Sequence, residues 1–124
     1  MKIYAVLTGD LVASSRISVE LRTEMVRWLK ELAGNFFTSI HPESVVGGLD
    51  VFRGDSWQLC LREPSLAVKA AVFFRVGLKA HPSRQEIDTR VGVGIGGVEH
   101  LVESRISEST GPAFVSSGDR KSVV

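Results

Sequence analysis

Leu49-Asp50-Val51-Phe52-Arg53-Gly54-Asp55-Ser56-Trp57-Gln58-Leu59-Cys60-Leu61 holds two short, β-rich apolar runs around a three-residue break. Leu49 to Phe52 and Ser56 to Leu61 read as strands, and Arg53-Gly54-Asp55 as the tight hairpin between them. Upstream, Lys2 to Thr8 reads as a buried strand ended by Gly9, with Leu11 to Arg16 as a loop. Ser18 caps a first helix, with Glu20 in its first turn. Leu21, Met25, Trp28, Leu29, Leu32 and Phe36 then follow steps of three and four, which is one apolar helix stripe, and Gly34 is the expected stop. Thr38 to Gly48 reads as loop.

Downstream, Pro64 suits the first turn of a second helix. Leu66, Ala70, Phe73, Phe74 and Gly77 form its expected buried side, with Lys69, Arg75 and Lys79 solvated. His81-Pro82 ends it. Asp88 to Val98 has the period of a fourth strand, with Val91, Val93 and Ile95 on one face and Gly92, Gly94 and Gly96 on the other. Glycine is poor in strands, so three on one face imply close approach of a backbone, a helix, a ligand or a second subunit. Glu99 to Thr110 is polar and reads as mobile. Gly111-Pro112 then opens a short helix. The order is strand, helix, strand, strand, helix, strand and a partial helix. That is the split βαβ pattern of an α+β, ferredoxin-like sandwich with its helices on one face. The chain reads as one domain over residues 1–124, and its last element, barely begun at Val124, suggests a longer parent sequence.

The bulk numbers fit this reading. The chain has 124 residues, of which 44% are hydrophobic and 23% charged, with a net charge of +1. Basic and acidic residues interleave, so no basic stripe favours nucleic acid as a partner. Cys60 is the only cysteine and lies in an apolar run, which fits a reducing, cytoplasmic setting. Ile3 to Leu7 is too short for a signal-peptide core, and no run approaches the ~20 apolar residues of a membrane span.

Two aspartates stand out. Asp10 follows Thr8-Gly9 at the end of the first strand, and Asp55 follows Arg53-Gly54 at the hairpin tip. In the split βαβ order the first strand lies beside the hairpin, so both carboxylates fall at one sheet edge. A pair of this kind suits a hard cation such as Mg²⁺ and, through it, a phosphate. The alternative is two turn aspartates, each bonding its own backbone. Leu11 to Arg16 is small and hydroxyl-rich and leads into a helix. It would cradle phosphate on its N–H groups with Arg16 as counter-charge, or serve as a plain connection. Ser117 and Arg120 share a helix face and would meet a phosphate or a base, unless the segment is a frayed end.

Other motifs carry no function here. Gly92 to Gly97 matches the dinucleotide pattern but lies within a strand. The histidines lack zinc spacing, and no serine or cysteine has an evident histidine partner.

Four segments resemble known families. Val6 to Ser15 is similar to the first metal motif of class III nucleotide cyclases, and Val51 to Ser56 to their second. Arg90 to Gly96 resembles their glycine-bearing strand, and Gly111 to Arg120 falls where they carry a nucleotide-contacting helix. The segments Thr8-Gly9-Asp10, Arg53 to Gln58, Arg90 to Gly96 and Gly111 to Gly118 also resemble the SatD-like family of small cytoplasmic proteins. The cyclase resemblance implies a palm fold, Mg²⁺ or Mn²⁺ on Asp10 and Asp55 with the Leu11 carbonyl as third donor, and phosphates against Ala13, Ser14 and Ser15. It implies Arg120 as the group stabilising transition-state charge, and a homodimer, for which the glycine face of the fourth strand is a candidate surface. Ser116 or Ser117 stands where cyclases carry asparagine, and no lysine and aspartate pair for choosing a base is evident. The expected function is cation-dependent binding of a nucleotide or related phosphate, extending to nucleotidyl or phosphoryl transfer. The alternative is a non-catalytic regulatory or dimerisation module that keeps the fold.

Overall fold

The computed structural model describes residues 2–13, 18–81 and 87–119. Four strands form one antiparallel sheet in the order β2-β3-β1-β4, with β1 Tyr4–Ala13, β2 Val45–Phe52, β3 Ser56–Leu61 and β4 Ile87–Gly96. The helices are α1 Val19–Thr38, α2 Ala67–Lys79 and α3 Pro112–Asp119. This is the split βαβ arrangement expected from the sequence.

Three boundaries differ from the expectation, each for a tertiary reason. β1 runs past Thr8 to Ala13 because β4 is equally long and pairs with it to the end, Ala13 facing Ile87. Helix α1 is capped by Ser18, whose hydroxyl accepts from Leu21 N–H, but it passes through Gly34 and stops at Thr38. Glycine costs a helix about 1 kcal/mol relative to alanine. Burying Phe36 completely two residues later stabilises by about 2–3 kcal/mol and outweighs it. Strand β2 begins at Val45, inside the expected loop, because a register shift between Val46 and Asp50 lets Gly47 bulge. Gly47 has φ +66°, and a Cβ there would overlap the Glu103 carbonyl.

The sheet is covered on both faces, which corrects the one-sided expectation. Leu7, Trp57, Leu59 and Leu61 pack against Met25, Leu29 and Phe36 of α1 and Ala70 and Phe74 of α2. On the opposite face Val6, Val46 and Cys60 pack against Ile106, Ala113 and Phe114. Segment 99–110 is held by a His100–Thr110 bridge and by buried Ile106 in a 3₁₀ turn, so it is packed rather than loose. The glycine face of β4 is likewise occupied. A Cβ on Gly94 would overlap the Ala113 carbonyl and the Ser117 amide, so α3 fills the surface proposed for a second subunit.

Asp50 ties the 3₁₀ turn to β2. Its side chain is 10% exposed and accepts from Ser107 N–H at 2.9 Å and Arg105 Nε at 3.2 Å. Burial alone would push its carboxyl up. The hydrogen bonds from Ser107 and Arg105 outweigh that, and the net shift is below the ordinary value. Stability from this group is therefore full above the unfolded value of about 4 and is lost as pH falls through the lower folded value. Asp50→Ala should cost about 1–3 kcal/mol in urea unfolding at pH 7, with the difference from wild type shrinking toward pH 3.

Cys60 sits fully buried in the second-face cluster. Desolvation pushes its thiol up to about 12, against a small opposing effect of the Arg62 charge. The folded protein should not react with a thiol-specific disulfide reagent at pH 8, and should react fully once unfolded in urea.

Candidate functional site

The β1 and β3 ladder ends where the two aspartates are. Asp10 pairs with Ser56, and the next amide along β1, Leu11 N–H, donates to the Asp55 carbonyl at 2.9 Å. Asp10 thus lies inside β1 rather than at its end, but at the end of its pairing with β3. The hairpin that delivers Asp55 turns through positive φ at Arg53 (+55°) and Gly54 (+81°). Arginine adopts that conformation at a cost of about 1–2 kcal/mol, and its guanidinium stacks 5.6 Å over the Phe52 ring.

Asp10 is held by two hydroxyls. Ser56 Oγ donates to Asp10 Oδ1 at 2.7 Å. Thr89 Oγ1 donates to the Asp10 carbonyl at 2.9 Å while accepting from Trp57 Nε1 at 3.0 Å. Trp57 is completely buried and belongs to the core. Its indole lies against Gly9, where a Cβ would overlap the ring. The glycine before Asp10 therefore answers to the tryptophan. Ser56 adjoins Asp55 in sequence, a signal that was available, whereas the role of Thr89 is set only by its register opposite Leu11.

Both carboxylates are exposed, and among the described residues neither forms an ion pair. Two such carboxylates, one within β1 and one in the turn before β3, are a donor set that fits a hard divalent cation. No cluster of three or more His, Cys, Asp or Glu exists among the described residues. The remaining coordination would come from a main-chain carbonyl, phosphate oxygens and water.

The other expected residues fare differently. Ser14, Ser15, Arg16 and Arg120 lie outside the described residues. Ala13 ends β1 opposite Ile87. Ser117 is 1% exposed, and its hydroxyl is consumed inside the fold. Gln58 Nε2 donates to Thr8 Oγ1 at 2.9 Å, and Ser117 Oγ donates to the Phe114 carbonyl at 2.9 Å. The 2.7 Å contact between the two hydroxyls is then a donation from Thr8 to Ser117. Ser117 locks α3 onto β1 and is not available to a ligand, which corrects the expectation for it. Beside this lock is a cavity of about 340 Å³, whose walls include Thr8, Phe52, Arg53, Gln58, Thr110 and Phe114. Phe52 and Arg53 directly precede Gly54-Asp55, so cavity and carboxylates adjoin.

No protein-family model matches the chain, and no curated protein matches it. Solved structures do. The guanylyl cyclase domain of the RhoGC fusion protein from the aquatic fungus Blastocladiella emersonii, a non-canonical dimeric domain, superposes with a TM-score of 0.60 at 18% identity. That match covers 98% of this chain and 74% of the other. The guanylyl cyclase Cya2 superposes with a TM-score of 0.55 at 16% identity, covering 96% and 68%. The chain has a nucleotide-cyclase-like palm fold. In this palm, Asp10 stands within β1 at the end of its pairing with β3, and Asp55 stands in the turn that leads into β3. No helix among the described residues is long and apolar enough to cross a membrane.

Proposed function

We propose that this palm binds a purine nucleotide or related phosphate through a divalent cation, Mg²⁺ or Mn²⁺, on Asp10 and Asp55. The observation that carries this reading is the register at the end of the β1 and β3 ladder, where Leu11 N–H bonds the Asp55 carbonyl and puts both aspartates on adjoining backbone. The Leu11 carbonyl is the proposed third donor. The main chain of Ala13, Ser14 and Ser15, with Arg16, is proposed to face the phosphates. A bound cation would neutralise phosphate oxygens and polarise the phosphoryl group. Arg120 is proposed to stabilise developing charge if the chain transfers a nucleotidyl or phosphoryl group. Membership in the SatD-like family, a cytoplasmic location and a one-domain organisation over residues 1–124 belong to this proposal and rest on the sequence segments.

One observation favours a second reading, a non-catalytic regulatory or dimerisation module. Ser117, where cyclases carry a nucleotide-contacting helix, spends its hydroxyl inside the fold. Thermal unfolding with ATP or GTP, with and without Mg²⁺ or Mn²⁺, tests the proposal. A ligand at a hundredfold excess over its dissociation constant stabilises by about 2.7 kcal/mol. A metal-dependent rise in midpoint is expected, and no rise up to millimolar nucleotide would leave the module reading.

A further inference from the structure

Gln58 is a buried amide whose acceptor is left open. The residue is 7% exposed and points from β3 to the sheet face that carries α3, the face of Val6 and Cys60. A chain of donors fixes its orientation. Ser117 Oγ spends its proton on the Phe114 carbonyl and so accepts from Thr8. Thr8 Oγ1, its own proton spent, accepts from Gln58 Nε2. The amide therefore turns its nitrogen to Thr8, which leaves Oε1 and the second N–H of Nε2. Among the described residues neither has a partner. No sealed side-chain N or O atom lacks a partner there, so Oε1 reaches the open space of the cavity that Gln58 lines. A buried amide with an unpaired acceptor and donor costs free energy, and its retention asks for a ligand that pairs it.

The cavity, about 340 Å³, is at the lower end of ligand-pocket sizes. Phe52 and Phe114 give it two aromatic walls. Arg53, whose guanidinium lies 5.6 Å over the Phe52 ring, is the one charged side chain among its described walls. Such a lining suits a flat, uncharged ring that stacks on aromatic faces, and not a bare phosphate. A nucleobase is such a ring. Each base carries a donor and an acceptor side by side on one edge, which the open Oε1 and N–H of Gln58 match. The register puts cavity and carboxylate on neighbouring rungs. Thr8 pairs with Gln58 and Asp10 with Ser56 on the same sheet face, about 7 Å apart along the strands. That gap leaves room for a sugar between a base at Gln58 and a phosphate at the cation of Asp10.

Building on the proposed cation site at Asp10 and Asp55, on which this reading rests, we infer that the cavity receives the base of the nucleotide. Gln58 is then a specificity-determining residue that reads the edge of that base. The ligand class narrows to nucleosides carrying phosphate. Pyrophosphate, polyphosphate and sugar phosphates lack the group that fills the cavity. Base and cation are held by one chain.

Calorimetric titration of wild type and Gln58→Leu with ATP, GTP and tripolyphosphate, each with Mg²⁺, tests the base site. Nitrogen–proton NMR of the wild-type Gln58 side-chain amide is recorded with the same ligands, and with adenosine and guanosine alone. Gln58→Leu should weaken the better-bound nucleotide about tenfold and leave tripolyphosphate within about twofold. The Gln58 amide signals should move with nucleotide and nucleoside and stay fixed with tripolyphosphate. A variant that binds nucleotide as wild type does, or that folds and loses nucleotide and tripolyphosphate alike, would overturn the inference. So would a Gln58 amide that no nucleotide or nucleoside moves. Circular dichroism shows whether the variant folds, and if it does not, the wild-type amide signals decide alone. Tripolyphosphate that fails to bind while a nucleoside moves the Gln58 amide would sink the cation reading of Asp10 and Asp55 and uphold the base site.

Discussion

Gly9→Ala should destabilise the protein by about 3 kcal/mol or more. A Cβ at position 9 would overlap the Trp57 indole. The indole cannot retreat, because it is completely buried, stacked at 5.0 Å on Phe74 and tied through Nε1 to Thr89 Oγ1. Moving it would also disturb the Thr89 hydroxyl that holds the Asp10 carbonyl. Gly48→Ala is the control, since a Cβ there meets nothing within 4 Å, and it should change stability by no more than about 0.5 kcal/mol. Urea unfolding of both variants at pH 7 decides the matter. Equal, small losses would mean that the indole shifts freely and that Gly9 is dictated by something other than Trp57.

The second large effect concerns the ligand. Replacing Asp10 and Asp55 together by asparagine should abolish the metal-dependent thermal shift, about 2.7 kcal/mol at saturating nucleotide, while leaving the unliganded protein within about 0.5 kcal/mol of wild type. Asparagine is the suitable probe because its Oδ1 still accepts the Ser56 hydroxyl, so the backbone geometry at the end of β1 and β3 is kept and only charge is removed. Without the two negative charges a divalent cation loses its only ionised donors among the adjoining residues described here. A shift that survives the double variant would move the nucleotide away from these aspartates. A shift lost together with unliganded stability would mark them as structural. Calorimetric titration with Mn²⁺ alone separates cation binding from nucleotide binding in the same variants.

The order of elements was legible in the sequence because each depends on local signals. The hairpin shows in Arg53-Gly54-Asp55, the first helix in the Ser18 cap and its apolar stripe, and the glycine strand in its period of two. The proximity of Asp10 and Asp55 followed from topology alone, since the split βαβ order makes β1 a neighbour of β3. Boundaries were less legible because they are settled by partners distant in the chain. β1 extends as far as β4 accompanies it, α1 runs on because Phe36 must be buried, and β2 starts early because Gly47 bulges beneath Glu103. Side-chain roles were the least legible. Ser117 has the composition of a ligand-contacting helix position, yet a lock with Thr8, 109 residues away, claims its hydroxyl.

The sequence by itself therefore determined the α+β class and the order of elements, because periodicity, caps and turn residues act over a few neighbouring positions. Only the tertiary structure decided that both faces of the sheet are covered, that α3 fills the glycine face and that Gly9 serves Trp57. Those outcomes are set by which surfaces meet after the chain closes on itself, and close packing between distant segments leaves no local mark in the sequence.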